Sequence, residues 1–116
     1  MLKTEHRLRR AEDFKVTMRR GKAASTASVV VHAVMTKERR PAKVGFVVGR
    51  AVGGAVVRNT VRRRLRHLMA DRVDELPPGT NVVIRARPAA AGMSSAVLAS
   101  YLDRTLPDAL RRARGR

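Results

Sequence analysis

The chain has 116 residues and a formal net charge of +17, from 26 lysines and arginines against nine acidic residues. Its apolar fraction of 44% supports one folded domain over residues 1–116, with flexible basic ends, and so large an excess of positive charge favours a nucleic-acid partner. The lack of cysteine excludes disulfides and fits the cytoplasm, and with no long apolar run, signal peptide or lipidation signal we expect no membrane partner.

The first predicted elements are a short helix and a strand. The helix covers Arg10–Arg20, where Phe14 and Met18 lie four residues apart on one face and Gly21 follows as a stop. The β-branched segment Ala27–Met35 then predicts a strand.

A second strand, Lys43–Arg50, precedes a long helix predicted over Ala55–Leu76. Apolar residues at helical spacing form the predicted buried stripe of this helix, namely Val57, Val61, Leu65 and Leu68.

A third strand is predicted over Asn81–Pro88, and a last helix begins with Ser94 or Ser95 as its N-cap. Pro107 is expected to kink or interrupt that helix. The order helix, strand, strand, helix, strand, helix predicts an α/β sandwich in which helices pack on a small mixed sheet.

The residues that usually build a hydrolytic active site are dispersed along the chain. The nine acids are scattered, and the three histidines, His6, His32 and His67, fall on separate elements. The glycines before the long helix match no phosphate-binding loop. We therefore expect no catalytic residue and no metal site within the chain.

The long helix carries a cationic side beside its apolar stripe. Steps of three and four residues bring together Arg58, Asn59, Arg62, Arg63 and Arg66. A solvated face is the ordinary alternative, but such a face mixes charges, and no acid occurs from Arg58 to Ala70. A bound nucleic acid is therefore favoured, and Asn59 can hydrogen-bond a base edge or a 2′-hydroxyl.

The segment Gly53–Arg66, "GGAVVRNTVRRRLR", resembles the signature of the bacterial ribonuclease P protein subunit. That pattern is Gly-x-Ala-Val-x-Arg-Asn, two residues, Lys/Arg-Arg, two residues, Arg. The segments "RLRRAEDFKVTMRRGK", "KVGFVVGR" and "NVVIRARP" resemble other parts of the family, so the resemblance covers roughly residues 7–105. Arg64 lies outside the matched positions, and we expect it to be the arginine least involved in RNA binding.

The resemblance implies an α/β sandwich with a left-handed β-α-β crossover and a single RNA-binding domain. It implies a cytoplasmic ribonucleoprotein endonuclease, a hydrolase, that removes the 5′ leader from precursor tRNA. The partners are then the catalytic RNA and precursor tRNA, not DNA. The RNA performs the chemistry with magnesium, and the arginine-rich helix contacts that RNA.

In the family, a cleft between the first helix and the sheet receives the single-stranded leader. By position, Phe14, Met18 and His32 would line this cleft, with Arg50 and Arg87 as phosphate contacts. Met18 and His32 stand where the family often has aromatic residues, so charge can contribute more to leader binding here. The alternatives are core packing for Phe14 and Met18, and a plain strand position for His32.

Further differences follow the second strand, where Ala51 replaces the second residue of a frequent Lys-Lys pair and Gly54 replaces a common Asn. Two other functions remain open from sequence. One is a structural RNA-binding protein, ribosomal or chaperone-like. The other is a nuclease that acts without RNA, against which the scattered acids argue.

Overall fold

A four-stranded mixed sheet forms the centre of the molecule, and a computed structural model describes residues 2–115. The strands, in chain order, are β1 (Lys22–Ser25), β2 (Val29–Met35), β3 (Lys43–Val47) and β4 (Thr80–Ala86). Their spatial order is β1-β2-β4-β3, in which β3 and β4 run parallel and the other neighbours are antiparallel.

Three α-helices flank the sheet: α1 (Ala11–Arg20), α2 (Ala55–Ala70) and α3 (Ser95–Gly115). Short 3-10 turns occupy Thr4–His6, Val73–Glu75 and Pro88–Ala90. The predicted α/β sandwich and its element order are confirmed, with β1 as an additional short strand after α1. Because α2 joins two parallel strands, β3-α2-β4 is a crossover connection. The left-handed sense of this crossover, which the resemblance implies, stays a prediction.

Side chains alternate between the two faces of the sheet, and each face packs differently. On one face, Val31 of β2 and Ile84 of β4 belong to the main core with Leu65 of α2 and Leu102 of α3. On the other face, α1 packs against β2 and β4. That second face therefore has only one helix over it and leaves room for a cleft.

The close approach of α1 to the sheet depends on two glycines. A Cβ at Gly45 of β3 would collide with the Phe14 ring, and one at Gly21 would collide with the carbonyl oxygens of Thr17 and Ala33. The φ of Gly21 is −72°, so the residue ends α1 as predicted without left-handed geometry. What the position requires is the missing side chain, not an unusual backbone angle.

The buried side of α2 differs from its predicted stripe. Val61, Leu65 and Met69 are almost fully buried, whereas Val57 is 38% exposed. The first turn of α2 extends beyond the packed region, so Val57 does not belong to the stripe and Met69 does.

Two predicted helix limits are also corrected. The long helix ends at Ala70 rather than Leu76, and Arg72 beyond it bonds the Leu68 carbonyl at 2.7 Å and pairs with Asp103 of α3. The last helix continues through Pro107, so the expected interruption is wrong, while a kink there stays a prediction. Proline there removes only one backbone donor, and its exposed ring meets no packed neighbour.

Strand β2 begins two residues later than predicted and β3 ends three residues earlier. Strand β4 begins one residue earlier than predicted and ends two residues earlier. At the chain ends, Leu2 is buried and α3 extends to Gly115, while Met1 and Arg116 of the predicted flexible ends lie outside the described residues. Within residues 2–115, no helix is long and apolar enough to cross a membrane.

Candidate nucleic-acid interface

The predicted RNA-binding residues of α2 lie on the side of the helix that faces away from the core. Asn59, Arg63 and Arg66 are exposed, and Arg58 and Arg62 are half-buried. Across residues 2–115, no carboxylate forms an ion pair with any of these arginines. We call this set of five residues the arginine side, and its charge is not neutralised by the described chain.

Contacts within the arginine side orient some of its donors. Arg62 Nη1 donates to Asn59 Oδ1 at 3.0 Å, which holds the guanidinium against the helix and leaves the Asn59 amide nitrogen free to donate. The Nε of Arg58 is buried and finds no acceptor in the described chain. The arginine side thus presents several N–H donors whose acceptors must come from elsewhere.

Arg64 is engaged differently from its neighbours. Its Nη1 donates to the Met93 carbonyl at 2.6 Å, which ties α2 to the loop before α3. This contact gives Arg64 a structural role and is consistent with the prediction that it is the arginine least involved in RNA binding.

The predicted cleft residues Phe14, Met18 and His32 lie where α1 meets the sheet. The Phe14 ring lies against Gly45, and both Phe14 and Met18 are half-buried. His32 of β2 is 9% exposed and its Nε2 has no partner within residues 2–115. Burial lowers the pKa of His32, and the positive charge of Arg85 lowers it further, so the imidazole is neutral at neutral pH.

Arg50 and Arg87 lie at the same end of the sheet because they follow the carboxyl ends of two parallel strands. Arg50 lies in the turn after β3, and Arg87 directly follows β4. Both side chains are exposed, and Arg87 Nη1 donates to the Thr26 carbonyl at 3.2 Å. The two arginines therefore follow neighbouring strands at the same end of the sheet.

The arginine side and the α1 region border a common depression of about 230 Å³. Phe14 and Phe46 contribute its aromatic lining. Its cationic lining comes from α2 and from the N-terminal segment, namely Arg62, Arg66, Arg7 and Arg9. The N-terminal segment closes it along β3, where the Leu8 amide donates to the Val44 carbonyl at 2.9 Å. Phe14 of the predicted leader cleft and two members of the arginine side thus border a single depression.

One cationic residue of the sheet face beneath α1 was missed from sequence. Arg85 of β4 lies on the same sheet face as His32, two residues before Arg87. The alternating arginines in "IRAR" could have indicated it, because residues two apart on a strand face the same side and Arg87 was already a candidate. Elsewhere in the described chain, no group of three histidines or acids is arranged to hold a metal ion.

The sequence resembles known proteins along most of its length. A family profile described as Ribonuclease P matches residues 2–110. The "Ribonuclease P protein component" of Streptomyces avermitilis is 52% identical over 114 residues, covering 91% of this chain and 93% of that protein. The corresponding protein of Acidothermus cellulolyticus is 50% identical over 107 residues, covering 91% of this chain and 89% of that protein.

Solved structures share the fold. The RNase P protein of Staphylococcus aureus has a TM-score of 0.80 at 23% identity, covering 90% of this chain and 94% of that one. The RNase P protein of Thermotoga maritima, solved in complex with 1-(4-fluorophenyl)-2-thiourea, has a TM-score of 0.75 at 24% identity, covering 90% of this chain and 98% of that one.

Proposed function

The chain belongs to the ribonuclease P protein family, and on that premise we propose that it is the protein subunit of a ribonucleoprotein that removes the 5′ leader from precursor tRNA. The observation that best supports this is the shared surface, in which the arginine side and Phe14 border one depression. A protein that holds two RNA segments side by side needs such a surface.

The arginine side would bind the backbone of the catalytic RNA. Guanidinium groups match phosphate oxygens with two parallel donors, and the side offers four arginines without a competing carboxylate. Asn59 adds an amide nitrogen for a base edge or a 2′-hydroxyl, and its Oδ1 keeps Arg62 in place.

The face beneath α1 would receive the single-stranded leader of precursor tRNA. Phe14 provides one aromatic ring for stacking on a base, and Met18 provides apolar contact. Neutral His32 contributes no charge at neutral pH. Arg50 and Arg87, at the carboxyl ends of β3 and β4, would bind leader phosphates as the strand leaves the cleft.

Magnesium would be held by the RNA partner rather than by this chain. Metal ions of this kind need clustered carboxylate or carbonyl oxygens, and the described surface near the depression is lined by arginines instead. The protein's part is then to bind and orient two RNAs, while the RNA performs bond cleavage. The scattered acids of the chain are consistent with this division.

Salt dependence tests this proposal. Affinity for the catalytic RNA should fall steeply between 50 and 500 mM KCl, since each neutralised phosphate contributes about −0.9 to the slope of log K against log salt. With four arginines engaged we expect a slope of about −3 to −4, measured by filter binding. A flat response would contradict phosphate binding.

The same assay distinguishes a ribonuclease P subunit from the alternative, a structural or ribosome-associated RNA-binding protein. Unlabelled ribosomal RNA should compete poorly against the catalytic RNA if the chain is a ribonuclease P subunit. Equal competition, together with ribosomal RNA in material purified from cells, would favour the alternative.

A further inference from the structure

Arg85 is a half-buried cation in an interior strand of the sheet. It lies in β4, between β2 and β3, and its register neighbours are Val30 on one side and Val47 on the other. Within residues 2–115 its guanidinium makes no ion pair and no hydrogen bond. None of its nitrogen atoms is fully buried, so each one keeps some exposure to solvent. The side chain is therefore fixed at its base by the sheet and free at its tip.

The other half-buried arginines show how unusual this is. Arg40 and Arg72 pair with the carboxylates of Glu38 and Asp103. The remaining partnered ones donate to an oxygen of another residue: Arg7 to Leu2, Arg62 to Asn59 and Arg64 to Met93. Only two half-buried arginines of the described chain lack such a partner, Arg58 and Arg85.

Arg58 lies on the arginine side, where RNA is the proposed partner. Arg85 lies on the sheet face that α1 covers, and contact between RNA and the arginine side does not explain it. Partial burial of a cation between two valines is unfavourable unless an anion compensates it. Within residues 2–115 no carboxylate pairs with Arg85, and His32, whose pKa its charge lowers, is neutral at neutral pH.

We propose that Arg85 is a specificity-determining residue of the cleft that binds a backbone phosphate of the single-stranded leader, so that an ion pair at the sheet replaces part of the aromatic stacking. This inference rests on the proposed function and adds a residue to it. A phosphate fits better than a base edge because only an anion neutralises the guanidinium. Arg87, two residues later in the chain, continues the same cationic path.

The test uses the reconstituted complex of protein and catalytic RNA, with precursor tRNA and mature tRNA as ligands. Arg85→Gln should weaken precursor binding about tenfold and leave mature tRNA within twofold, because only the precursor carries the leader. The salt slope for the precursor should become shallower by about 0.7, the value for one single-strand phosphate. Arg85→Lys should retain part of the affinity, and Arg39→Gln, in an exposed loop, is the charge-matched control.

The base sequence of the leader separates phosphate binding from base recognition. Loss of affinity should be equal for leaders of different sequence, whereas a loss confined to one base would overturn the phosphate assignment. An unchanged affinity in Arg85→Gln would overturn the inference as a whole. If the wild-type complex binds precursor and mature tRNA equally, the proposed leader-binding function itself fails, which is a distinguishable result.

A second readout is the titration of His32 followed by NMR, with and without a leader oligonucleotide. A purely structural role for Arg85 would leave the His32 titration unchanged when the oligonucleotide is added. Because Arg85 lowers the pKa of His32, both Arg85→Gln and saturation of the wild type with a leader oligonucleotide should raise it. The thermal midpoint of Arg85→Gln should stay close to or above that of the wild type, since no hydrogen bond or ion pair of the described chain is lost and a half-buried charge is removed. A His32 titration that the oligonucleotide leaves unmoved would contradict binding at Arg85.

Discussion

Replacing Arg58, Arg62 and Arg66 together by alanine should weaken binding of the catalytic RNA by at least about 100-fold. Hydrogen bonds to charged groups contribute about 1.5 kcal/mol or more each, so three of them correspond to about three orders of magnitude, and a loss of about 100-fold is the lower bound. The salt slope should become shallower by about 2.7, from three lost phosphate contacts. Filter binding at several KCl concentrations measures both quantities.

A matched variant separates the arginine side from the total charge. Arg39, Arg104 and Arg114 are exposed arginines outside α2, and replacing all three by alanine removes the same charge. This control should lose less than about fivefold in affinity, since long-range attraction between exposed charges is screened by salt. An equal loss in both triple variants would show that the RNA responds to net charge alone.

Arg64→Ala is the single-residue control within α2 itself. Its guanidinium donates to the Met93 carbonyl, so alanine should cost stability, by about 1 kcal/mol, and leave RNA affinity within twofold. A loss of affinity as large as that of Arg62→Ala would contradict the division between Arg64 and the arginine side.

Leu65→Ala should lower the free energy of unfolding by about 2–5 kcal/mol, the usual cost of emptying a fully buried leucine site. For a domain of this size, that corresponds to a fall in thermal midpoint on the order of 10 °C. Circular dichroism during heating or urea titration measures the change. At a temperature where the variant is folded, its RNA affinity should be close to that of the wild type, because Leu65 faces the core.

Val57→Ala is the matched control for Leu65→Ala. Both positions belong to the stripe expected from sequence spacing, but Val57 is 38% exposed in the structure. Its replacement should change stability by less than about 0.5 kcal/mol. Equal destabilisation by the two substitutions would contradict the observed orientation of the first turn of α2.

The arginine side could be predicted from sequence because helical spacing is local. Any helix over Ala55–Ala70 places Arg58, Arg62 and Arg66 on one line, whatever packs behind it. The end of that helix could not be predicted in the same way. It depends on Arg72, whose partner Asp103 is 31 residues away in the chain.

The elements missed from sequence depend on long-range pairing. The segment "KAAS" of β1 has little strand propensity of its own, and it becomes a strand through its register with β2, where Ala24 lies opposite Val31. Arg112 of α3 supports it by donating to the Ala23 carbonyl at 2.8 Å. Arg85 also depends on long-range pairing. Its lack of a carboxylate partner can be seen only once β2, β3 and β4 are assembled in the sheet.

The cleft residues were placed by resemblance, and their roles stay predictions. The structure puts Phe14, Met18 and His32 near the junction of α1 and the sheet, which is compatible with the proposed role. The contact between Phe14 and Gly45 also shows why core packing was a reasonable alternative, since the ring is partly covered by β3. Only a ligand titration separates packing from binding at these positions.

The most direct test of the proposed function is reconstitution of precursor-tRNA cleavage from purified parts. Labelled precursor tRNA is incubated with the protein alone, with the catalytic RNA alone and with both, over a range of magnesium concentrations. We predict no cleavage by the protein alone, and at low magnesium more cleavage at the mature 5′ end with both than with the RNA alone. Cleavage by protein rigorously freed of RNA, or no gain on adding protein to the catalytic RNA, would contradict the account.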